Sequence, residues 1–320
     1  MKALKFACAV ALVMAICCVT PLHASLSSFA TFTGNVDVRT AGWGSTSNSG
    51  TISITPLAAG TNTVMAVYLY TSTFELPNVS TVSATLAGHS VSFTDLGNNL
   101  GFLAAGRADV TSFMKPLIEG GQTSFSLTES SANQDGEALV VVYSNPALSV
   151  STVGILDGFS SSTGDNASIN FSSPLHPADP GFFAEMRIGD GFSCCSQTST
   201  ITVNGTTITT NAGNNDDSVD GSAANGNLIT VGGDNDPFSA LNPSYAADHE
   251  RYNLIPEIAD GSSSISVHTV NPSNDDNIFL EVFHVSGLAS VNSNTPEPSS
   301  IVLFGTLLAG VAYKLRRKSA

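Results

Sequence analysis

Thr200-Ile201-Thr202-Val203-Asn204-Gly205-Thr206-Thr207-Ile208-Thr209 alternates β-branched and hydroxylated residues on both sides of an Asn-Gly pair. Period-two alternation puts Ile201 and Val203 on one face and Thr200 and Thr202 on the other. Asn-Gly is the dipeptide that most readily takes φ > 0 at two successive positions, as a two-residue hairpin loop requires. The stretch therefore reads as a β-hairpin with one buried face. Working outward, the same grammar repeats: short β-branched runs at 51–55, 63–70, 81–86, 90–93, 123–127, 138–143, 148–156, 167–171, 181–188, 200–203, 206–209, 227–231, 264–270 and 277–285, separated by Gly, Asn, Ser and Pro turns. Leu86-Ala87-Gly88-His89-Ser90 reads as a second tight turn. Helical periodicity is nearly absent. The exception is 110–118, where Asp109 is placed to cap the first turn and Pro116 limits the length. The expectation is an all-β fold, a jelly-roll-like β-sandwich over residues 25–290, read as one elaborated domain with 144–150 as the alternative boundary. No internal repeat of fixed period is visible.

The two ends are built differently. Lys2 and Lys5 precede an apolar run from Phe6 to Val19, then a Thr20-Pro21 break and a small residue at Ala24. That is the layout of a signal peptide over residues 1–24; an uncleaved anchor is the alternative. Neither Cys17 nor Cys18 follows the small residue that a lipoprotein leader needs. At the other end stand Pro296, Glu297 and Pro298 in a 291–298 linker, an uncharged run at 299–313, and a basic exit of Lys314, Arg316, Arg317 and Lys318 in the 314–320 tail. At about 1.5 Å per residue the run reaches about 22 Å, short of a hydrocarbon core of about 30 Å; snorkelling Lys and Arg stems and local thinning make up the difference. The basic exit favours a cytoplasmic C-terminus, so the reading is one transmembrane helix with the body outside.

The triplet, the apolar segment 301–313 and the basic end 314–318 together resemble the PEP-CTERM sorting signal. The resemblance covers about 25 of the 320 residues, with its three parts in order. It implies recognition by an exosortase, a membrane cysteine-protease-like enzyme of Gram-negative bacteria, with processing near the triplet. It implies delivery to the envelope or extracellular matrix, in a family linked to exopolysaccharide and biofilm.

Between the ends, only Arg39, Arg107, Lys115, Arg187 and Arg251 are basic, against 25 carboxylates (26 less Glu297), a net charge of −20. Such a body repels nucleic acid, which needs a basic footprint, and attracts divalent cations. Three loops concentrate acids and amides: Asp216, Asp217 and Asp220; Asp234 and Asp236; Asp275 and Asp276. Such side chains supply the oxygen ligands calcium wants, and they equally make ordinary Asx turns. Cys194 and Cys195 are the cysteines left once the leader is gone; as neighbours they form a vicinal disulfide, bond to another molecule, or stay as thiols.

Catalytic signatures are missing. Asp248-His249-Glu250-Arg251 has Asn253 where a zinc protease needs its second histidine, which leaves a polar strand edge or an ion pair through Arg251. The histidines at 89, 176, 249, 268 and 284 show no ligand spacing; a zinc site joining His268 and His284 across a sheet is the weaker alternative. Arg107 to Thr111 reads as a structural ion pair or cap at a strand-to-helix corner. A pair of carboxylates for glycoside cleavage has no sequence signature. Trp43, Tyr68, Phe182, Phe183, Tyr245 and Tyr252 are candidates to stack sugars, with the core as the preferred alternative. The expectation is a non-enzymatic envelope or matrix protein with a structural or adhesive role, partnered by the exosortase, the membrane and extracellular polysaccharide. The alternatives are a calcium-assisted, lectin-like carbohydrate-binding module and, behind it, a secreted glycan hydrolase.

Overall fold

The computed structural model describes residues 25–45, 47–98, 101–161, 163–191, 198–213, 229–271 and 277–293, within one compact unit spanning Ala24–Asn294. The expected strands form, and the described residues add others in stretches where charges or small residues mask the pattern: β1 (Ser27–Gly34), β2 (Val36–Trp43), β7 (Thr94–Asn98), β8 (Leu103–Asp109), β17 (Arg251–Asn253) and β20 (Ala289–Ser293).

Four antiparallel sheets result. Sheet I orders β3 (Ser49–Ser53), β9 (Ser124–Glu129), β5 (Ser83–Leu86) and β6 (His89–Ser92). Sheet II orders β2, β10 (Gln134–Ser144), β4 (Thr63–Phe74), β8 and β7. Sheet III orders β1, β11 (Ser151–Asp157), β19 (Asn277–Ser286), β13 (Ala184–Gly191) and β16 (Ile229–Val231), with β17 also on β13. Sheet IV orders β15 (Thr206–Ala212), β14 (Ser199–Val203), β18 (Ser264–Val270), β12 (Asp165–Phe171) and β20.

Three cores separate them. Leu139, Val141 and Tyr143 of β10 join Phe125 and Leu127 of β9 between sheets I and II. Ala138, Val140 and Val142 point the other way, onto Val153, Ile155, Phe279 and Val282 of sheet III. Met186, Ile188, Phe283 and Val285 close on Ile169, Ile201, Ile265 and Val267 of sheet IV. The order is thus I, II, III, IV, four layers where a single sandwich has two. The physical cause is in the burial patterns. Outer strands such as β9 alternate between exposed and buried, whereas β10 and β19 are buried almost throughout, so they need a partner sheet on each side.

The two halves repeat one topology. Taking β2, β3, β4, β5, β6, β8, β9 and β10 as strands 1 to 8, sheets II and I read 1-8-3-6 and 2-7-4-5. Taking β11, β12, β13, β14, β15, β16, β18 and β19 the same way, sheets III and IV read 1-8-3-6 and 2-7-4-5 again. The repeat lies in the pairing order and not in residue spacing. Residues 145–150 connect the halves. The chain's first strand, β1, crosses to the second half, where Ser28 donates its N–H to Ser293 Oγ at 3.0 Å; both ends of the body therefore leave from one place.

The turns behave as their residues dictate. Asn204 and Gly205 sit at φ +48° and +86° and pair Val203 with Thr206. Helix α1 (Thr111–Glu119) begins one residue later than expected: Val110, not Asp109, is its N-cap and makes no side-chain cap bond, while Asp109 Oδ1 accepts from Thr111 N at 2.9 Å from one position further out. Among the described residues no helix is long and apolar enough to cross a membrane; the leader, the 299–313 segment, the Pro296–Pro298 triplet and the basic exit lie outside them.

Candidate functional site

The sparse arginines are the first feature to account for. On β2, Asp37 and Arg39 are two residues apart and share a face; on β13, Glu185 and Arg187 do the same. The fold brings these two pairs together at the seam between sheets II and III. Arg187, only 4% exposed, donates to Glu185 at 2.7 Å, to Asp234 at 2.5 Å and to Thr40 Oγ1 at 2.8 Å. Arg251 donates to the other Glu185 oxygen at 3.0 Å and stacks on Phe238. Arg39 pairs with Asp37 at 2.8 Å, and Tyr143 donates to the same carboxylate at 2.6 Å. His284 Nδ1 lies 3.5 Å from Asp37 and 3.7 Å from Glu185. Burial works to raise the pKa of Glu185, yet His284, Arg187 and Arg251 outweigh it and hold the group well below the usual carboxylate range. A second tie crosses the same seam: Arg107 of β8 pairs with Asp157 of β11, with Phe29 under its guanidinium and Tyr70 donating to Asp157 at 3.0 Å. Arg187, through Thr40, and Arg107, through Asp157, thus tie the two halves together, Arg39 reaches Asp234 at 4.0 Å, and Arg251 braces Glu185 from within the second half.

This arrangement places the acidic loop residues. Asp234 Oδ1 accepts from Arg187 and from Thr40 N, and its Oδ2 from Thr55 Oγ1. Asp236 Oδ2 accepts from Gly233 N at 2.5 Å, a turn-closing bond. Among the described residues no group of three or more His, Cys, Asp or Glu side chains comes together that would hold a metal ion. Asp216, Asp217, Asp220, Asp275, Asp276, Cys194 and Cys195 lie outside the described residues. His268 and His284 stand in different sheets, the former against the Asp165 carbonyl at 3.0 Å. The motif around His249 is a buried hub: Asp248 accepts from Thr209, Ser239 and Tyr252, and Glu250, at φ +53°, accepts from Gly213 N and Thr230. Trp43, Tyr68 and Tyr252 are core residues, Phe182 packs against the third core, Phe183 packs tilted against His284, and Tyr245 donates to Gly213 O.

Much of the acid is therefore inside. Glu129, Asp135, Glu137, Asp157, Asp165, Glu185, Asp190, Asp248, Glu250 and Glu281 are all buried. Desolvation raises Asp135, and it pushes Glu281 up to about 8. The surface is left with an unusual pattern. The outward side chains of sheet I are Ser49, Thr51 and Ser53 on β3, Ser124, Ser126 and Thr128 on β9, Ser83 and Thr85 on β5, and Ser90 and Ser92 on β6. Every one carries a hydroxyl and none a charge. Their register is regular: Ser49 faces Thr128, Thr51 faces Ser126 and Ser53 faces Ser124, while Thr85 faces Thr128 and Ser90. Ser49 bonds Thr128 at 3.1 Å and Ser53 bonds Ser124 at 2.9 Å. Neighbouring hydroxyls are spaced about 4.8 Å across strands and about 6.7 Å along them. Sheet IV repeats the theme with Asn166, Ser168 and Asn170 beside His268, Ser266 and Ser264. Strand alternation exposes this pattern in the sequence, but only for a reader who knows that β3, β9, β5 and β6 share a sheet.

Comparison with known proteins bears on the tail. Residues 294–318 match the PEP-CTERM protein-sorting motif. The chain carries a PEP-CTERM sorting signal. That signal marks an exported protein, sorted by an exosortase to the envelope or extracellular space through its C-terminus. No curated protein matches the chain. Among solved structures it is similar to crystal structures of BuGH86 in complex with neoagarooctaose, one of the wild type and one of a variant, each at 10% identity and a TM-score of 0.21. The matches cover 85% of this chain and span about a third of theirs, 34% and 35%. A likeness that weak bears on neither the fold nor the activity.

Proposed function

We propose that this PEP-CTERM protein is a structural or adhesive component of the envelope or polysaccharide matrix of a Gram-negative bacterium, and that its hydroxylated sheet faces lie against neutral polysaccharide. Its leader is removed after Ala24, the 299–313 helix holds it at the membrane, and processing near Pro296–Pro298 hands the body on. The body is read as two jelly rolls in tandem, a reading supported by the twice-repeated strand order.

The observation that carries the proposal is the outer face of sheet I. A chain of net charge −20 outside its ends presents there an array of Ser and Thr without a single carboxylate. Each hydroxyl supplies one donor and two acceptor sites, and the cross-strand bonds between Ser and Thr fix orientations while leaving acceptors free. A neutral, hydroxyl-rich polymer meets such a face without burying a charge; an anionic one meets the repulsion of the remainder. The role is binding and spacing, not catalysis.

The test is co-sedimentation of the exported protein with neutral and with uronate-rich matrix polysaccharide. The wild type sediments with the neutral polymer. Ser126→Glu combined with Thr85→Glu, exposed changes on the array, abolishes sedimentation with the melting temperature unchanged. Equal sedimentation of variant and wild type refutes the assigned face. Deleting 296–320 sends the protein to the culture medium instead of the envelope.

A further inference from the structure

Ser25 and Leu26, just ahead of β1, are seated where the second half buries its unpaired acid. Ser25 Oγ donates to Asp165 Oδ1 at 2.5 Å, and Leu26 N approaches the same oxygen at 3.3 Å. The second Asp165 oxygen accepts from Ser161 N at 2.6 Å. The Ser25 carbonyl rests on Gly158, where any Cβ would lie 2.3 Å from that oxygen. The backbone there is held, not loosely draped. By bond geometry the Ser25 nitrogen is within about 6 Å of the Asp165 carboxylate.

Asp165 is 5% exposed and Glu281, its electrostatic neighbour on β19, 2%. Glu281 Oε2 has no hydrogen-bond partner. The His268 ring packs beside Asp165, its Nδ1 3.0 Å from the Asp165 carbonyl oxygen. None of the body's strong cations is available: the arginines are committed to the seam between sheets II and III, and Lys115 pairs with Glu119 on α1. Two buried carboxyl groups thus share a niche with no Lys or Arg, an arrangement that stabilises only if a proton or a cation enters.

We propose that this niche is the binding site for the α-ammonium of mature Ser25, with Asp165 as counter-ion and Glu281 as the second acidic wall. The inference rests on the reading that the leader is removed after Ala24. Hydrolysis of the Ala24–Ser25 amide consumes one water and leaves a carboxylate on the leader and an ammonium on Ser25, a cation that does not exist before cleavage. Export processing then completes the fold, fastening β1 to β12 and β19 at the point where the chain also exits towards its sorting signal.

The experiment uses the exported full-length protein in detergent, its N-terminus read by Edman sequencing. Four forms are compared: native and Asp165→Asn, each with and without Gly-Ser inserted before Ser25. The insertion lowers the melting temperature by about 5 °C or more in the wild type and has no further effect in the Asp165→Asn background. The α-amine of the folded native protein acetylates at least about tenfold more slowly at pH 8 than in urea. Equal melting of native and extended forms, or equal acetylation rates, overturns the proposal. A terminus other than Ser25 refutes the processing reading instead. The niche is then tested on protein whose Ser25 terminus is generated by a site-specific protease, with the same two measurements deciding.

Discussion

Glu129 and Glu137 face each other between sheets I and II, 4% and 0% exposed. Glu137 Oε1 accepts from Gln134 at 3.1 Å and from Thr71 at 3.3 Å. Burial raises both carboxyl groups, and the neighbouring Glu137 charge raises Glu129 further. Two carboxyl groups this buried and this close keep at least one proton between them. An unfolded glutamate titrates near 4.3, so keeping one proton at pH 7 costs about 1.4 kcal/mol for each of about 2.7 pH units, or about 4 kcal/mol. The sign follows from the direction of the shift. A carboxyl whose folded pKa is raised contributes its full stability below about pH 4.3 and loses it as the pH rises towards the folded value. Glu129→Gln keeps an N–H donor for Glu137 and needs no proton. It is expected to leave stability unchanged near pH 4, to gain about 3–4 kcal/mol at pH 7, and to flatten the pH dependence between by about 1.4 kcal/mol per unit. Urea unfolding at half-unit steps from pH 4.5 to 7.5 measures this directly. An unaltered slope, or a loss of stability at pH 7, would refute the shared proton.

Other outcomes follow from single contacts. Arg187→Met strands Asp234 and half of Glu185 in the seam and costs about 3–5 kcal/mol by chemical denaturation; Arg187→Lys does not restore it, because one ammonium cannot serve Glu185, Asp234 and Thr40 in fork geometry. Asn204→Ala is expected to cost about 1–2 kcal/mol, since it strains the φ +48° position and removes side-chain bonds to Ser266 N and Glu257 O, both 2.8 Å; Asn204→Gly, which relieves the backbone, loses less. Gly154→Ala sets a Cβ 2.4 Å from a Val291 methyl carbon and lowers stability by about 1–3 kcal/mol through overpacking, with a lower thermal midpoint as the readout.

Local structure was legible wherever one face of a strand meets water. The Asn204-Gly205 and Ala87-Gly88 turns, the alternation of β9, β14 and β18, and the Asp109 bond to Thr111 N each follow from side-chain chemistry within a few residues. The strands that escaped notice explain themselves. β2 carries Asp37 and Arg39, whose charges matter only because β13 brings Glu185 and Arg187 opposite. β8 reads Leu-Ala-Ala-Gly-Arg-Ala-Asp, poor in β-formers, because Val79 and Phe93 press so closely on Gly106 that a Cβ would meet a Val79 methyl carbon at 2.6 Å. β10 and β19 are buried on both faces, which the reading of one-faced strands did not anticipate, because Glu137, Glu281 and His284 interrupt their apolar runs. Net charge alone left the placement of the carboxylates open for a related reason. Charge is counted along the chain, but desolvation is decided by neighbours that only the packed sheets supply, and ten of the carboxylates ended up inside.

By itself the sequence determined that the chain is all-β with polar turns, and it wrote the sorting signal at 294–318 in full, because a signal read by an enzyme from a linear segment must be local. The tertiary structure decided the rest: that two halves with one strand order stack into four layers, that isolated arginines meet at their seam, and that hydroxyls from four strands line one sheet face. Those features depend on which strands become neighbours, a choice made by burying both faces of the inner sheets at once and not by any run of adjacent residues.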